Sequence, residues 1–383
     1  MRIGMNSPPG GLRWENADAV IRHGFLNMAG ELLDGHDLIW LFGSEGVSWD
    51  SPSPWGFRSF REQVSDLREC DVMIKVGSPA WFNQPDIEMY RICRDQGIPY
   101  HLYGIGVGGR WRWSDWDVYE KRSVDLIRIL NAAECGVVAC RDQNCLDLIQ
   151  TFKVGGEVEV IICPGFFALP PRSHPSPDII RVMFDVLDPA TLKGNGASSD
   201  DDVSNYYDFV RRSLDFLDRE GVEVAVTAMR AIVNGNGDEP LSIEPSEVER
   251  ADTVWGYAGY WRRAVGDRPV LYAPSAASFT SMCVGMDAVI SGRVHGVLPN
   301  AGRGTPCLGL GIDLRHRSWA QVPEIDVVDM RGHAWGLLDI SRWWGQLPDR
   351  YDRLSRALLE RRRAETEHQR TILRRILENG DHV

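Results

Sequence analysis

Apolar residues in this chain fall into two alternating patterns. Short runs of strand length stand at Met1–Asn6, Asp37–Phe42, Asp71–Val76, Tyr100–Gly104 and Gly136–Cys140. Between them lie longer stretches with helical spacing. From Ala19 to Leu33 the apolar positions are Val20, Ile21, Phe25, Met28 and Leu32, a stripe that one helix face can bury. Phe60–Leu67, Ile87–Asp95 and Val118–Asn131 read as helices in the same way. Repeated alternation of this kind predicts a doubly wound parallel sheet with helices on its faces.

The stretch Pro164–Pro177 carries five prolines and can continue neither a helix nor a central strand. It is expected to be a linker and a site of proteolytic nicking. Beyond it a second alternation starts. Ile179–Val186, Val222–Thr227, Pro269–Tyr272, Met286–Ser291 and Cys307–Ile312 read as strands. Tyr206–Leu217 and Ala251–Val265 read as helices, and Pro189–Asp202 as a Gly/Ser/Asp-rich loop. The expected fold class is therefore α/β: two Rossmann-like doubly wound domains, residues 1–165 and 178–335, facing a cleft in a GT-B-like arrangement. A long C-terminal helix is expected over residues 343–378. Its apolar face is discontinuous (Leu354, Leu358, Ile372, Leu373, Ile376, Leu377). Arg361-Arg362-Arg363 on that helix is read as a solvated face paired with Glu360, Glu365 and Glu367, or as a lure for an anionic partner.

Composition narrows the function. An apolar content of 43% and a charged content of 25% are those of an ordinary globular chain. The net charge of −12 argues against nucleic acid or a membrane surface as a general partner. No apolar run is long enough to span a bilayer and the N-terminus lacks a leader pattern, so a cytoplasmic location is expected. Cys135, Cys140, Cys145 and Cys163 lack the spacing of a zinc site. Cys140 should end a strand and Cys145 should lie on the next helix, so the two should not converge on one ion. No metal is expected, and the thiols read as buried and reduced.

The richest stretch is Ser291-Gly292-Arg293-Val294-His295-Gly296, a strand end running into a short helix and then a second strand. Ligands of open α/β sheets sit at the carboxyl ends of strands and at helix N-termini. Arg293 and His295 there, with Gly292 and Gly296 permitting close backbone approach, suit a phosphate or carboxylate. Separated by one residue, the two side chains would point the same way from an extended segment. A purely structural account would make Arg293 an ion-pair partner and His295 a helix cap. Arg230, just past Val222–Thr227, is a candidate second anion clamp or an exposed loop residue, whereas Arg303 reads as structural. Gly104-Ile105-Gly106 lacks the spacing of a dinucleotide fingerprint. Trp111, in the Trp-rich segment that follows, offers an indole for stacking on a sugar ring; plain loop packing is the alternative. Lys193-Gly194-Asn195-Gly196 reads as a flexible loop or a phosphate lid. Arg141-Asp142 reads as an ion pair at a strand–helix junction.

Taken in order, several of these segments resemble the polysaccharide pyruvyl transferase family. Asp71–Ser78 is similar to its first-domain strand ending in glycine, and Gly97–Gly106 to its strand followed by G-x-G. Val137–Leu146 is similar to its R-D-x-x-S segment, with Cys145 where serine is common. Arg293-Val294-His295-Gly296, with Pro306 before the next strand, is similar to its R-[LV]-H-G motif. The resemblance implies transfer of an enolpyruvyl group from phosphoenolpyruvate to a sugar or glycan, with no cofactor. It implies that Arg293 holds the donor's phosphate or carboxylate and that His295 holds phosphate or moves a proton. Asn16-Ala17-Asp18 partly matches the family's N-x-G-D. If so, Asn16 and Asp18 line the cleft, and Asp18 accepts a proton from the acceptor; otherwise they start a helix. Two rivals stay open: a GT-B-like glycosyltransferase using a nucleotide sugar, on an unusual acceptor such as modified nucleic acid, and a non-catalytic relative binding an anionic sugar. A homo-oligomer is compatible with each.

Overall fold

A computed structural model describes residues 1–7, 16–41, 59–77, 84–107, 123–153, 155–173, 181–187, 192, 200–228, 241–243, 260–273, 276–311, 319, 321–330 and 337–380. The first sheet is built from β1 (Arg2–Asn6), β2 (Asp37–Leu41), β3 (Val72–Val76), β4 (Tyr100–Ile105), β5 (Cys135–Cys140) and β6 (Val158–Val160). Its spatial order is β2-β1-β3-β4-β5-β6, and every pairing is parallel. The helices of this half are α1 (Asn16–Ala29), α2 (Phe60–Leu67), α3 (Gln84–Gln96), α4 over 123–130 and α5 (Gln143–Phe152). Ser59 and Glu62 close a capping box on α2, which fixes that boundary where the periodicity places it.

The second sheet draws on β7 (Arg181–Asp185), β8 (Glu223–Thr227), β9 (Leu241–Ile243), β10 (Val270–Tyr272), β11 (Ala288–Ser291), β12 (Cys307–Gly311) and β13 (Asp326–Asp329). Its order is β13-β12-β11-β7-β8-β10-β9, parallel except for β9 against β10. Its helices are α6 (Asp200–Arg219), α7 (Tyr260–Val265), α8 (Ala276–Val284) and α9 (Val294–Arg303). The chain ends in α10 (Leu337–Gly380). The architecture is thus α/β and GT-B-like, two doubly wound parallel sheets with a long C-terminal helix. The sequence pattern leaves out β6, β9 and β13, which are three or four residues long. All three are outermost in their sheets, and β6 and β13 are also poorly buried, so no apolar run announces them.

The stretch entered as a linker begins inside the protein. Pro164–Phe167 is a 3-10 turn, and each residue from Pro164 to Leu169 is buried. The cause is its composition, since Phe166, Phe167 and Leu169 belong to an apolar cluster shared by both sheets. That cluster joins Ile3, Val20 and Phe25 of the first half to Val289, Val297 and Ala301 of the second. Exposed residues occur only from Pro170 onward, and 174–180 lie outside the described residues.

Helix α10 spans both halves. Trp343, Trp344, Leu347, Tyr351 and Leu354 pack into the core of the second sheet. Leu358, Ile372, Leu373, Ile376 and Leu377 pack into the shared cluster. Gln369 Nε2 donates to Ile162 O at 2.7 Å, and Arg370 Nε donates to Met28 O at 2.8 Å. The arginine run is therefore not one solvated face. Arg361 pairs with Glu324 at 3.2 Å, and Arg363 is exposed. Arg362 turns inward onto backbone carbonyls.

Candidate functional site

Helix α9 starts from a buried polar anchor. In parallel register, Ser291 at the end of β11 lies opposite Asp185 at the end of β7. Both are fully buried. The Ser291 hydroxyl donates to Asp185 Oδ2 at 2.7 Å and accepts the Arg293 N–H at 2.9 Å. Gly292 makes the turn between them. Arg293 is the N-cap of α9, with extended φ −107° and ψ 137°, and its side chain makes no cap bond. The Gly296 N–H donates to Arg293 O at 3.1 Å, which closes the first turn.

The helix therefore begins at Val294, and His295 is its second residue. The expectation that Arg293 and His295 project together from an extended segment fails here, because the local period is 3.6 and not 2. The strand ends at Ser291 as the apolar run places it, but the extended backbone stops at Arg293 and does not reach His295. What the geometry provides instead is a helix N-terminus at the carboxyl edge of a parallel sheet. Its partial positive charge and its first N–H groups favour an anion. Arg293, Gly292, His295 and Gly296 are brought together in this one turn.

The facing wall comes from the first half. His295 Cδ2 lies 3.6 Å from the point where a Cβ on Gly165 would stand, and Cys163 Sγ lies 3.8 Å from the same point. Arg141, at the end of β5, donates from Nη1 to Cys163 Sγ at 3.5 Å. Asp142 caps α5 by accepting the Cys145 N–H at 2.8 Å, and it accepts the Val107 N–H at 3.3 Å. At this junction Asp142 caps a helix, and Arg141 reaches the corner beside His295. Gly106 lets both approach. A Cβ there would overlap Arg141 Nε and come within 2.7 Å of Asp142 Oδ2. Gly104, at φ +68°, leaves room for Pro164. These glycines serve packing within the fold.

Asn16 and Asp18 lie in the first turn of α1, and their side chains fall outside the described set. Helix α1 packs against the Pro164–Phe167 turn, α8 and α9. At Gly24 the contact is so close that a Cβ would overlap Pro164 O. Arg230, Trp111 and the Lys193 loop lie outside the described residues. Arg303 is structural as expected. It donates to Pro170 O at 3.3 Å and to Val284 O at 2.8 Å, and burial lowers its pKa.

Two buried groups escaped the sequence reading. Asp185 closes an ordinary apolar run, and nothing marks it before its partner Ser291 is placed. Lys75, inside β3, pairs with Asp86 at 2.8 Å, and Asn6 Nδ2 donates to the same Asp86 oxygen at 2.8 Å. A lysine within an apolar strand was the available signal. Cys140 ends β5 and Cys145 lies in α5, where the pattern places them, and both thiols are free and buried. Among the described residues no cluster of three or more His, Cys, Asp or Glu could hold a metal ion.

A family model described as polysaccharide pyruvyl transferase matches residues 19–313. The chain belongs to that family. It is a transferase, and the match contains Arg293 and His295, while Asn16 and Asp18 precede its first residue. No curated protein matches the chain in sequence. Solved structures share the fold at low identity. Trehalose 6-phosphate synthase from Burkholderia multivorans aligns at TM-score 0.57 and 10% identity, over 100% of this chain and 97% of that one. Anabaena HepE in complex with UDP and glucose aligns at TM-score 0.56 and 10% identity, over 99% and 100% of the two chains. UDP-GlcNAc 2-epimerase from Neisseria meningitidis bound to UDP-GlcNAc aligns at 0.55 and 8%, over 99% and 100%. Among the described residues no helix is long and apolar enough to cross a membrane.

Proposed function

We propose that this pyruvyl transferase family member moves the enolpyruvyl group of phosphoenolpyruvate onto a sugar or glycan and leaves a cyclic pyruvate ketal. The observation that carries the reading is the first turn of α9, where Arg293 caps a helix N-terminus and His295 stands against the Cys163–Gly165 corner. A donor with a phosphate and a carboxylate needs such a cationic, donor-rich turn. Arg293 holds one anionic group in a fork that lysine cannot copy. His295, as imidazolium, protonates C3 of the donor, and C2 becomes electrophilic. A sugar hydroxyl adds to C2 as its proton passes to a base, the role assigned to Asp18. Phosphate leaves, a second hydroxyl of the same sugar closes the ring, and its proton is released. Donor and diol are thereby converted to ketal and inorganic phosphate. Stabilising the charge on the departing phosphate supplies most of the rate. This chemistry calls for no cofactor.

In this reading residues 178–335 carry the donor side and 1–165 the acceptor side, with Asn16 and Trp111 toward the sugar and Arg230 as a second anion clamp. The likeness to sugar-nucleotide proteins supports one rival, a glycosyltransferase using a nucleotide sugar. Thermal-shift and calorimetric titrations with phosphoenolpyruvate, UDP-glucose and UDP-GlcNAc separate them. Binding of phosphoenolpyruvate, followed by phosphate release when a competent glycan is added, is the expected result. Saturable binding of a nucleotide sugar without any response to phosphoenolpyruvate would overturn the reading.

A further inference from the structure

The C-terminal helix lies beyond the residues matched by the family model, yet it reaches the wall of the site. Arg362 is the contact. Its Nη1 donates to Gly302 O at 2.9 Å and to Phe166 O at 3.3 Å, and its Nη2 donates to Phe167 O at 3.3 Å. Its guanidinium carbon stands 5.5 Å from the centroid of the Phe167 ring. Among the described residues these carbonyls and this ring are its partners, and no carboxylate joins them. Burial alone pushes its pKa down to about 10, so the charge is held in place by backbone dipoles.

The place of these carbonyls gives the contact a consequence. Gly302 and His295 are seven residues apart on α9, which puts them on one face two turns apart. The Pro164–Phe167 turn runs along that face. At its far end a Cβ on Gly302 would overlap Phe166 O, so the turn lies directly on the helix backbone. At its near end Gly165 backs the His295 ring. Arg362 bridges the two at the Gly302 end, with one nitrogen on both backbones. The carbonyls of Phe167 and Ala168 are held from the opposite side by Asn27 Nδ2, each at 3.2 Å.

We infer that Arg362 is a positioning residue for His295: it clamps the Pro164–Phe167 turn onto α9 and so fixes the surface against which the imidazole sits. A lysine cannot span three carbonyls, and an uncharged residue takes the Arg362 donors away from Gly302 O and Phe166 O, leaving Phe167 O to Asn27 alone. The role of His295 in turnover rests on the proposed function; its placement by Arg362 does not.

The experiment is histidine-selective NMR of the ligand-free protein. The His295 ring signal is assigned by its loss in His295→Asn. Arg362→Met keeps the apolar stem and removes the fork, Arg362→Lys keeps the charge, and Gly302→Ala displaces the turn while leaving the Arg362 side chain in the protein. The expected result is a moved or broadened His295 signal in Arg362→Met and Gly302→Ala, with the signals of His36 and His101 unchanged. Arg362→Lys should fall between these and the parent. In turnover assays with phosphoenolpyruvate, kcat should fall about tenfold or more while KM changes less than about twofold, since a misplacement near 1 Å can cost that much and more. An unmoved His295 signal in folded Arg362→Met and Gly302→Ala overturns the proposal. So does failure of all three variants to fold, which would make Arg362 a folding residue only. If the parent neither binds nor consumes phosphoenolpyruvate, the functional reading falls, and the NMR comparison still decides the role of Arg362.

Discussion

Taking the protein from pH 7 to about pH 4 should remove about 3 kcal/mol of folding stability through His101 alone. His101 lies in β4 and is 1% exposed. Its Nδ1 accepts the Val137 N–H at 2.9 Å, where the register between β4 and β5 slips. Gly136 leaves the space for the ring, since a Cβ there would overlap it. Burial first, and the Lys153 ammonium second, lower the pKa from 6.5 to about 4. The folded value lies below the unfolded one, so the stabilising effect is fully present above about pH 6.5. As the pH falls the unfolded chain takes up a proton that the folded chain refuses, at about 1.4 kcal/mol per pH unit until the folded pKa is reached. His101→Gln isolates the effect, because a Gln amide oxygen can accept the same N–H and does not titrate. Urea unfolding of both proteins at several pH values gives the difference between them, in which other carboxylates cancel. That difference should change by about 2.5 kcal/mol between pH 7 and 4.5, with the parent losing more. A difference independent of pH would show that His101 is not buried neutral in this slip, and that the β4–β5 register has another cause.

Other predictions concern the site and its frame. Arg293→Lys should weaken phosphoenolpyruvate binding by about 1.5–3 kcal/mol in calorimetry, because a point charge replaces a bidentate fork; equal affinity would remove Arg293 from the site. His295→Asn should keep its melting temperature and donor affinity while single-turnover rates fall by about 10²- to 10⁴-fold, and a fully active variant would leave His295 without a proton to move. Gly24→Ala puts a Cβ into Pro164 O and should cost about 1–3 kcal/mol or more in urea unfolding, whereas Gly35→Ala, with open space but φ +78°, reports backbone strain alone.

The two sheets were legible because their central strands are buried on both faces and read as largely apolar runs, broken only at single positions such as Lys75 and His101. β3 and β4 are buried throughout, and Val72–Val76 and Tyr100–Ile105 stand out in the pattern. Of the edge strands, β2 was legible and β6, β9 and β13 were not. β13 alternates half-buried and exposed residues, and an edge strand of that length takes its structure from the neighbour it pairs with. The Pro164–Leu169 segment was read by its prolines when its phenylalanines decide its place. Two aromatic side chains outweigh the loss of a ladder N–H once an apolar pocket exists, and that pocket is made by α1, α9 and α10 together.

The site divides along the same line. Arg293 and His295 are adjacent in sequence, so the motif could be seen, and only the strand-to-helix step within it was misplaced. Cys163, Gly165, Asp185 and Arg362 reach the same helix and its supporting turn from positions up to 199 residues apart, with Cys163 and Arg362 at the extremes. None carries a local signal. Asp185 matters because β7 and β11 are neighbours in register, and Gly165 because a turn crosses a helix face. Arg362 matters because α10 doubles back over the first half. Its sequence context, three arginines among glutamates, is that of a solvated helix, and only packing reveals that the middle one points inward. Local pattern can therefore name the residues that would meet a ligand at a helix N-terminus, whereas the residues that hold such a helix in place are chosen by topology. A chain with a net charge of −12 can then carry an anion site, because the field that counts is set within a few ångströms by one helix end and one arginine.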